Sequence, residues 1–176
     1  RHPAAVDGLD SLVGAEAARA TARRQDLIGI TDWLASECRI LGVDIRLGTV
    51  AEATDMVGLA PDVVIVATGG SPRIPDLTEG SDLVVTTWDV IGGSVTASSG
   101  DVLVFDDHGT EDALSCVERL VAAGSHVEIV TPDRHVGHEV TGTAYPAYLR
   151  TFYEHGVRMT PDHRLTAVRR DADGRF

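Results

Sequence analysis

A chain of 176 residues with 43% hydrophobic and 24% charged residues suits one globular domain, or one domain with part of a second. Its formal charge of −12 sets it against nucleic acid and anionic membrane surfaces, and no apolar run reaches the roughly 20 residues of a membrane span. The two cysteines, Cys38 and Cys116, each fall in a helical pattern among apolar neighbours, which suits reduced thiols in a cytoplasmic protein.

Residues 1–24 are rich in alanine and arginine, show no alternating pattern and read as a partly helical or loosely ordered lead-in. A helix is predicted from Leu27 to about Leu41, with Trp33, Leu34, Cys38 and Leu41 on one apolar face and Gly42 placed to end it. Val43–Leu47 alternates as a strand does, and Ala51–Val57 is a short helical stretch with acidic residues near its start. After a turn at Ala60-Pro61-Asp62, Val63–Ala67 gives the strongest buried-strand pattern in the chain.

That strand runs into Ala67-Thr68-Gly69-Gly70-Ser71-Pro72. Small residues at the carboxyl end of a buried parallel strand let backbone approach a ligand, and they serve equally well as a tight exit turn. Leu83–Val90 reads as a further short strand, and residues 91–100, IGGSVTASSG, as a small-residue linker.

Asp101–Asp133 is a complete strand–helix–strand unit. Asp101–Phe105 and Val127–Thr131 are short apolar runs. Between them Ala113, Cys116, Val117, Leu120 and Val121 recur at helical spacing until Gly124. A crossover of this kind makes the two strands parallel neighbours, as in half of a nucleotide-binding sheet. The turn that would cradle a pyrophosphate lacks G-x-G-x-x-G, however. It reads D-D-H-G-T-E-D from Asp106 to Asp112, with one glycine and four carboxylates that would repel phosphate; Thr110 or Asp112 is placed to cap the helix.

Beyond it, Arg134–Gly142 is a loop carrying His135 and His138, Thr143–Glu154 a helix closed by His155-Gly156, and Val157–Thr160 a strand. Arg164–Arg170 alternates, and Asp171–Gly174 looks like the start of a hairpin turn cut off at Phe176. Asp106, Asp107, His108, Glu111 and Asp112 together could hold a divalent ion, but an acidic helix start favoured by the dipole explains them more simply. Ser115 has no base placed beside it, and Tyr145, Tyr148 and Tyr153 most simply pack.

At ATGGSPRIPD (67–76), TTWDV (86–90), VLVFDDHG (102–109), VEIVTPDRHVG (127–137) and YLRTFYEHGVRMTPD (148–162), the chain resembles the C-terminal nucleotide-binding region of the multidomain NADH:flavin oxidoreductases. That family includes 2,4-dienoyl-CoA reductase, trimethylamine and histamine dehydrogenases and dimethylglycine-type demethylases. The resemblance implies an α/β fold: a Rossmann-like, three-layer parallel sheet with an antiparallel segment. It implies a partial FAD- or ADP-type lobe over residues 25–95, with Ala67, Thr68, Gly69 and Gly70 near that cofactor. An NAD(P)-type lobe would follow over 96–176, truncated at its end, with Asp106, Asp107, His108 and Gly109 lining its crevice.

FMN and an iron–sulfur cluster would belong to a flavin-barrel domain absent from the sequence, since Cys38 and Cys116 cannot supply four thiolates. That barrel is the expected partner, with self-association to cover apolar faces as a further expectation. The functional expectation is a region of an FMN/FAD-dependent oxidoreductase acting on amines or enoyl compounds, inactive alone. The alternative is a vestigial structural lobe that binds no dinucleotide.

Overall fold

The computed structural model describes residues 28–97 and 99–172. In chain order its elements are α1 (Ile28–Ile40), α2 (Ala53–Leu59), a 3-10 turn (Ser81–Leu83), α3 (Thr87–Ile91), β1 (Asp101–Phe105), α4 (Glu111–Ala122), β2 (His126–Val130), α5 (Tyr145–Glu154) and β3 (Arg158–Thr160). The strands form one parallel sheet in the order β1-β2-β3, with Asp101 opposite His126, Phe105 opposite Val130 and Glu128 opposite Arg158. Parallel neighbours need a long crossover, and α4 and α5 supply the two. The α/β class and the parallel strand–helix–strand unit are as the sequence predicts.

Alternation along the strands decides which face is packed. Val104, Val127 and Ile129 point into a core shared with Leu114, Val117, Leu120 and Val121 of α4, Tyr148 and Phe152 of α5, and Val90 and Ile91 of α3. Leu114, Val117, Ile129 and Phe152 are completely enclosed. On the opposite face Leu103 is exposed, while Phe105, Glu128 and Val130 are half-buried. There Glu128 accepts the Thr160 hydroxyl at 2.6 Å and pairs with Arg158 at 3.4 Å.

Several stretches depart from what the sequence predicts. Leu83–Val90 is not a strand: it is the end of a 3-10 turn followed by α3. The reason lies in Thr86-Thr87-Trp88-Asp89. The Asp89 N–H donates to the Thr86 hydroxyl at 3.2 Å, and the Asp89 carboxylate accepts the Thr86 N–H at 2.9 Å, a reciprocal cap that outweighs the β-branched run before it.

Val43–Leu47 and Val63–Ala67 are also not strands, and Val63, Val64, Ile65 and Val66 are all exposed. Two-sided burial requires flanking strands, and no strand of the described residues pairs with either run. The predicted apolar face of α1 is unpacked for the same reason: Ala35 is its buried residue, while Trp33, Leu34 and Leu41 are exposed.

Arg164–Arg170 forms no strand, but it touches the chain just before the core unit. The Thr78 N–H donates to the Thr166 carbonyl at 2.9 Å, the Val168 N–H donates to the Glu79 carbonyl at 3.0 Å, and Arg169 pairs with Glu79 at 2.6 Å. The chain crosses so closely that a Cβ at Gly80 would sit on the Val168 carbonyl. The lead-in over 1–24 and the end of the 171–174 turn lie outside the described residues.

Candidate functional site

β1 ends where a parallel strand must release its backbone, and Asp106 manages the exit. Its own N–H still donates to the Val130 carbonyl at 2.8 Å, continuing the ladder by one rung. Its side chain turns back on the loop: one carboxylate oxygen, Oδ1, accepts the N–H of Gly109 at 2.9 Å and that of His108 at 3.3 Å. This is the habit of Asp in tight turns, where the carboxylate satisfies amides that no longer have ladder partners. Gly109 permits the turn by adopting φ +67°.

Asp106 is only 3% exposed, and its second oxygen, Oδ2, is enclosed with no hydrogen-bond partner among the described residues. Burial pushes the carboxyl above its ordinary range. The N–H groups of Gly109, His108 and Gly137 pull it down by less, and the Asp107 charge adds to the rise.

Of the other turn residues Asp107, His108 and Asp112 face water, Thr110 and Glu111 are half-buried, and Gly109 is buried. Asp107 and His108 pair with each other at 2.7 Å on the surface. Thr110 occupies the cap position of α4, but its hydroxyl donates to Asp112 at 3.1 Å and does not cap the helix. Glu111 and Asp112 lie in the first turn, where the helix dipole favours carboxylates. No three His, Cys, Asp or Glu side chains converge on a metal-sized site among the described residues.

Ala67, Thr68, Gly69 and Gly70 lie on exposed, irregular chain, and no hydrogen bond or ion pair among the described residues joins them to the Asp106 turn. A Cβ on Gly69 or Gly70 would meet nothing within 4 Å, so the backbone there is open to approach.

Two groupings were not legible beforehand. The His135 ring lies 5.1 Å from His138 and 5.8 Å from Tyr145, at the surface end of the loop before α5. Burial and the neighbouring Tyr153 raise the Tyr145 phenol. Between α4 and α5, the Ser115 hydroxyl donates to the Tyr148 oxygen at 3.2 Å and Tyr148 donates to Glu111 at 3.1 Å. Ser115, Tyr148 and Glu111 carry the polar groups that a helix–helix seam must pair if it is to be buried, and a one-dimensional pattern does not show which will meet. Cys116 sits beside this seam with its thiol pushed up to about 12 by burial, which keeps it protonated and unreactive.

No protein-family model matches the chain. It is 42% identical over 151 residues to a probable N-methylproline demethylase of Rhizobium meliloti (strain 1021), covering 86% of this chain and 22% of that protein. It is 40% identical over 158 residues to an N,N-dimethylglycine/sarcosine dehydrogenase of Chromohalobacter salexigens, covering 86% of this chain and 23% of that one. The chain is a C-terminal region of the NADH:flavin oxidoreductase family. It spans between a fifth and a quarter of the length of these relatives. The family fold is seen as well in 2-naphthoyl-CoA reductase in complex with 2-naphthoyl-CoA, with a TM-score of 0.78 at 21% identity over 90% of this chain and 25% of that one.

Proposed function

We propose that the chain is the nucleotide-binding-type region of a flavin-dependent oxidoreductase whose substrates are N-methylated amino acids. The observation that carries this is the 42% and 40% identity to a demethylase and a dehydrogenase of such compounds. Enoyl compounds are the second substrate class. In this reading the region positions cofactors and performs no chemistry by itself. FMN and an iron–sulfur cluster belong to the barrel of the complete enzyme, and FAD or ADP lies against Ala67–Gly70, where open glycine backbone favours close approach. The earlier lobe ends before α3, whose Val90 and Ile91 pack into the core of the later lobe. The exposed apolar residues from Ile30 to Ile74 meet the barrel or a second copy of the chain.

A second reading concerns the later lobe alone: it binds no dinucleotide. Asp106 favours it, because its carboxylate already holds the His108 and Gly109 amides that a pyrophosphate would require. Titration calorimetry of the chain with FAD, ADP, NADH and NADPH tests both readings. Saturable binding of FAD or ADP that Gly70→Glu abolishes is the expected result. Silence from both would remove the cofactor from Ala67–Gly70, and binding of NADH or NADPH would overturn the second reading.

A further inference from the structure

In a parallel α/β sheet the ligand crevice lies outside the carboxyl ends of the strands, over the turn from strand to helix. In this chain that place is filled from within. We infer that the crevice between β1 and β2 is closed by the chain itself: Asp106 is an internal anion standing in for a ligand phosphate, and residues 133–140 are a strap laid over Gly109 that holds the turn shut. The inference rests on reading this lobe as free of dinucleotide, and it gives that reading a physical cause.

The first support is the use of the amides. A strand-to-helix turn binds phosphate by pointing unpaired N–H groups at it. Two of those groups, on His108 and Gly109, are directed at the Asp106 carboxylate. A ligand phosphate would have to displace a buried negative charge that has no other home.

The strap is the second support. The Glu139 N–H donates to the Gly109 carbonyl at 2.9 Å, which joins the strap to the turn through the backbone. A Cβ on Gly109 would lie 3.1 Å from an Asp133 carboxylate oxygen and 3.2 Å from both the Cβ and the backbone nitrogen of His138. The strap therefore covers the face of Gly109 that a pyrophosphate would need. It is anchored at several points. Val136 is 2% exposed and belongs to the core, the Asp162 N–H donates to the Asp133 carbonyl at 3.0 Å, and within the strap the Val140 N–H donates to the Gly137 carbonyl at 3.0 Å, which fixes its shape. A segment rooted in the core in this way is not a loose lid. The acidic groups around the turn also oppose a phosphate: Asp133 and Glu139 on the strap, offset in part by Arg134, join Asp107, Glu111 and Asp112.

Hydrogen exchange on the 176-residue chain, with NADH as the probe, tests this. In the wild-type chain the Gly109 and Glu139 amides are expected to exchange slowly, at rates that saturating NADH leaves unchanged. In Asp106→Ala the His108, Gly109 and Glu139 amides are expected to exchange about tenfold faster together, while β1 and β2 stay protected. Asp106→Asn keeps the shape and loses the charge, so the same three amides should speed up by a smaller factor. Slowing of His108 and Gly109 exchange by NADH in the wild type would overturn the inference and the dinucleotide-free reading together. A Glu139 amide unaffected in both variants would overturn the strap while leaving that reading in place. If Asp106→Ala loses the protection of β1 and β2, the Asp106→Asn chain and the wild-type NADH comparison decide the matter.

Discussion

Asp106 shows how a single side chain can link pH to folding. Burial holds its carboxyl above the ordinary 3.8, so the folded chain keeps this proton to a higher pH than the unfolded chain does. Its contribution is fully favourable below that ordinary value and declines as pH rises toward the folded value, above which it is constant. Asp106→Asn removes the titration. Urea melts of both proteins from about pH 3 to about pH 8 should therefore show the stability difference moving in favour of the variant as pH rises, then levelling. A difference that is flat across this range would mean that the carboxyl titrates alike in both states. Thiol chemistry separates the two cysteines in the same way. Cys38 is half-buried on α1, whereas Cys116 is enclosed with its thiol raised to about 12. A thiol-selective reagent should label Cys38 in the native chain and reach Cys116 only after denaturation. Both side chains were visible in the sequence. The reach of Asp106 onto His108 and Gly109 was not, because D-D-H-G reads as a repulsive, solvated turn until the backbone shows where the amides point.

Helices and strands were legible where their hydrophobic period matched their surroundings. α4 and α5 each carry an apolar stripe that meets the other elements of the core, and β1, β2 and β3 fall within about two residues of their predicted bounds. Phe152 completes the α5 stripe with none of its surface exposed, so Phe152→Ala should cost about 3–5 kcal/mol in a denaturant melt. A value below about 1 kcal/mol would mean that the α5 seam repacks around the gap. α3 was missed because Val84, Val85, Thr86 and Thr87 look like a strand, while the signal that decides the matter is the pairing of Thr86 with Asp89. Thr86→Ala should lower stability by about 0.5–2 kcal/mol, and Thr86→Ser should restore most of it. Equal losses in the two variants would count against the cap. Val63–Ala67 failed for a different reason. An apolar run records the burial that a segment is made for, whichever part of a larger molecule supplies the cover.

At the scale of the molecule, apolar exposure is uneven. Ile30, Trp33, Leu41, Val57 and Val63 to Val66 are all exposed, whereas among the described residues after residue 80 the exposed large hydrophobic ones are Val85, Leu103 and Tyr153. An environment-sensitive dye should bind the isolated chain, and Val63→Asp with Ile65→Asp should reduce its fluorescence while leaving the melting temperature of the core unchanged. Undiminished fluorescence would place the sticky surface elsewhere, with the open sheet face around Leu103 next in line. The contact between Thr78 and Thr166, 88 positions apart, has a consequence of another kind. The chain enters and leaves the span between them at a single neck, closed by two backbone hydrogen bonds and the pair of Glu79 with Arg169. A segment whose two ends adjoin can be exchanged without lengthening or straining its flanks. Residues 80–166 therefore leave and rejoin the described chain at one place, the geometry that makes a segment exchangeable as a unit.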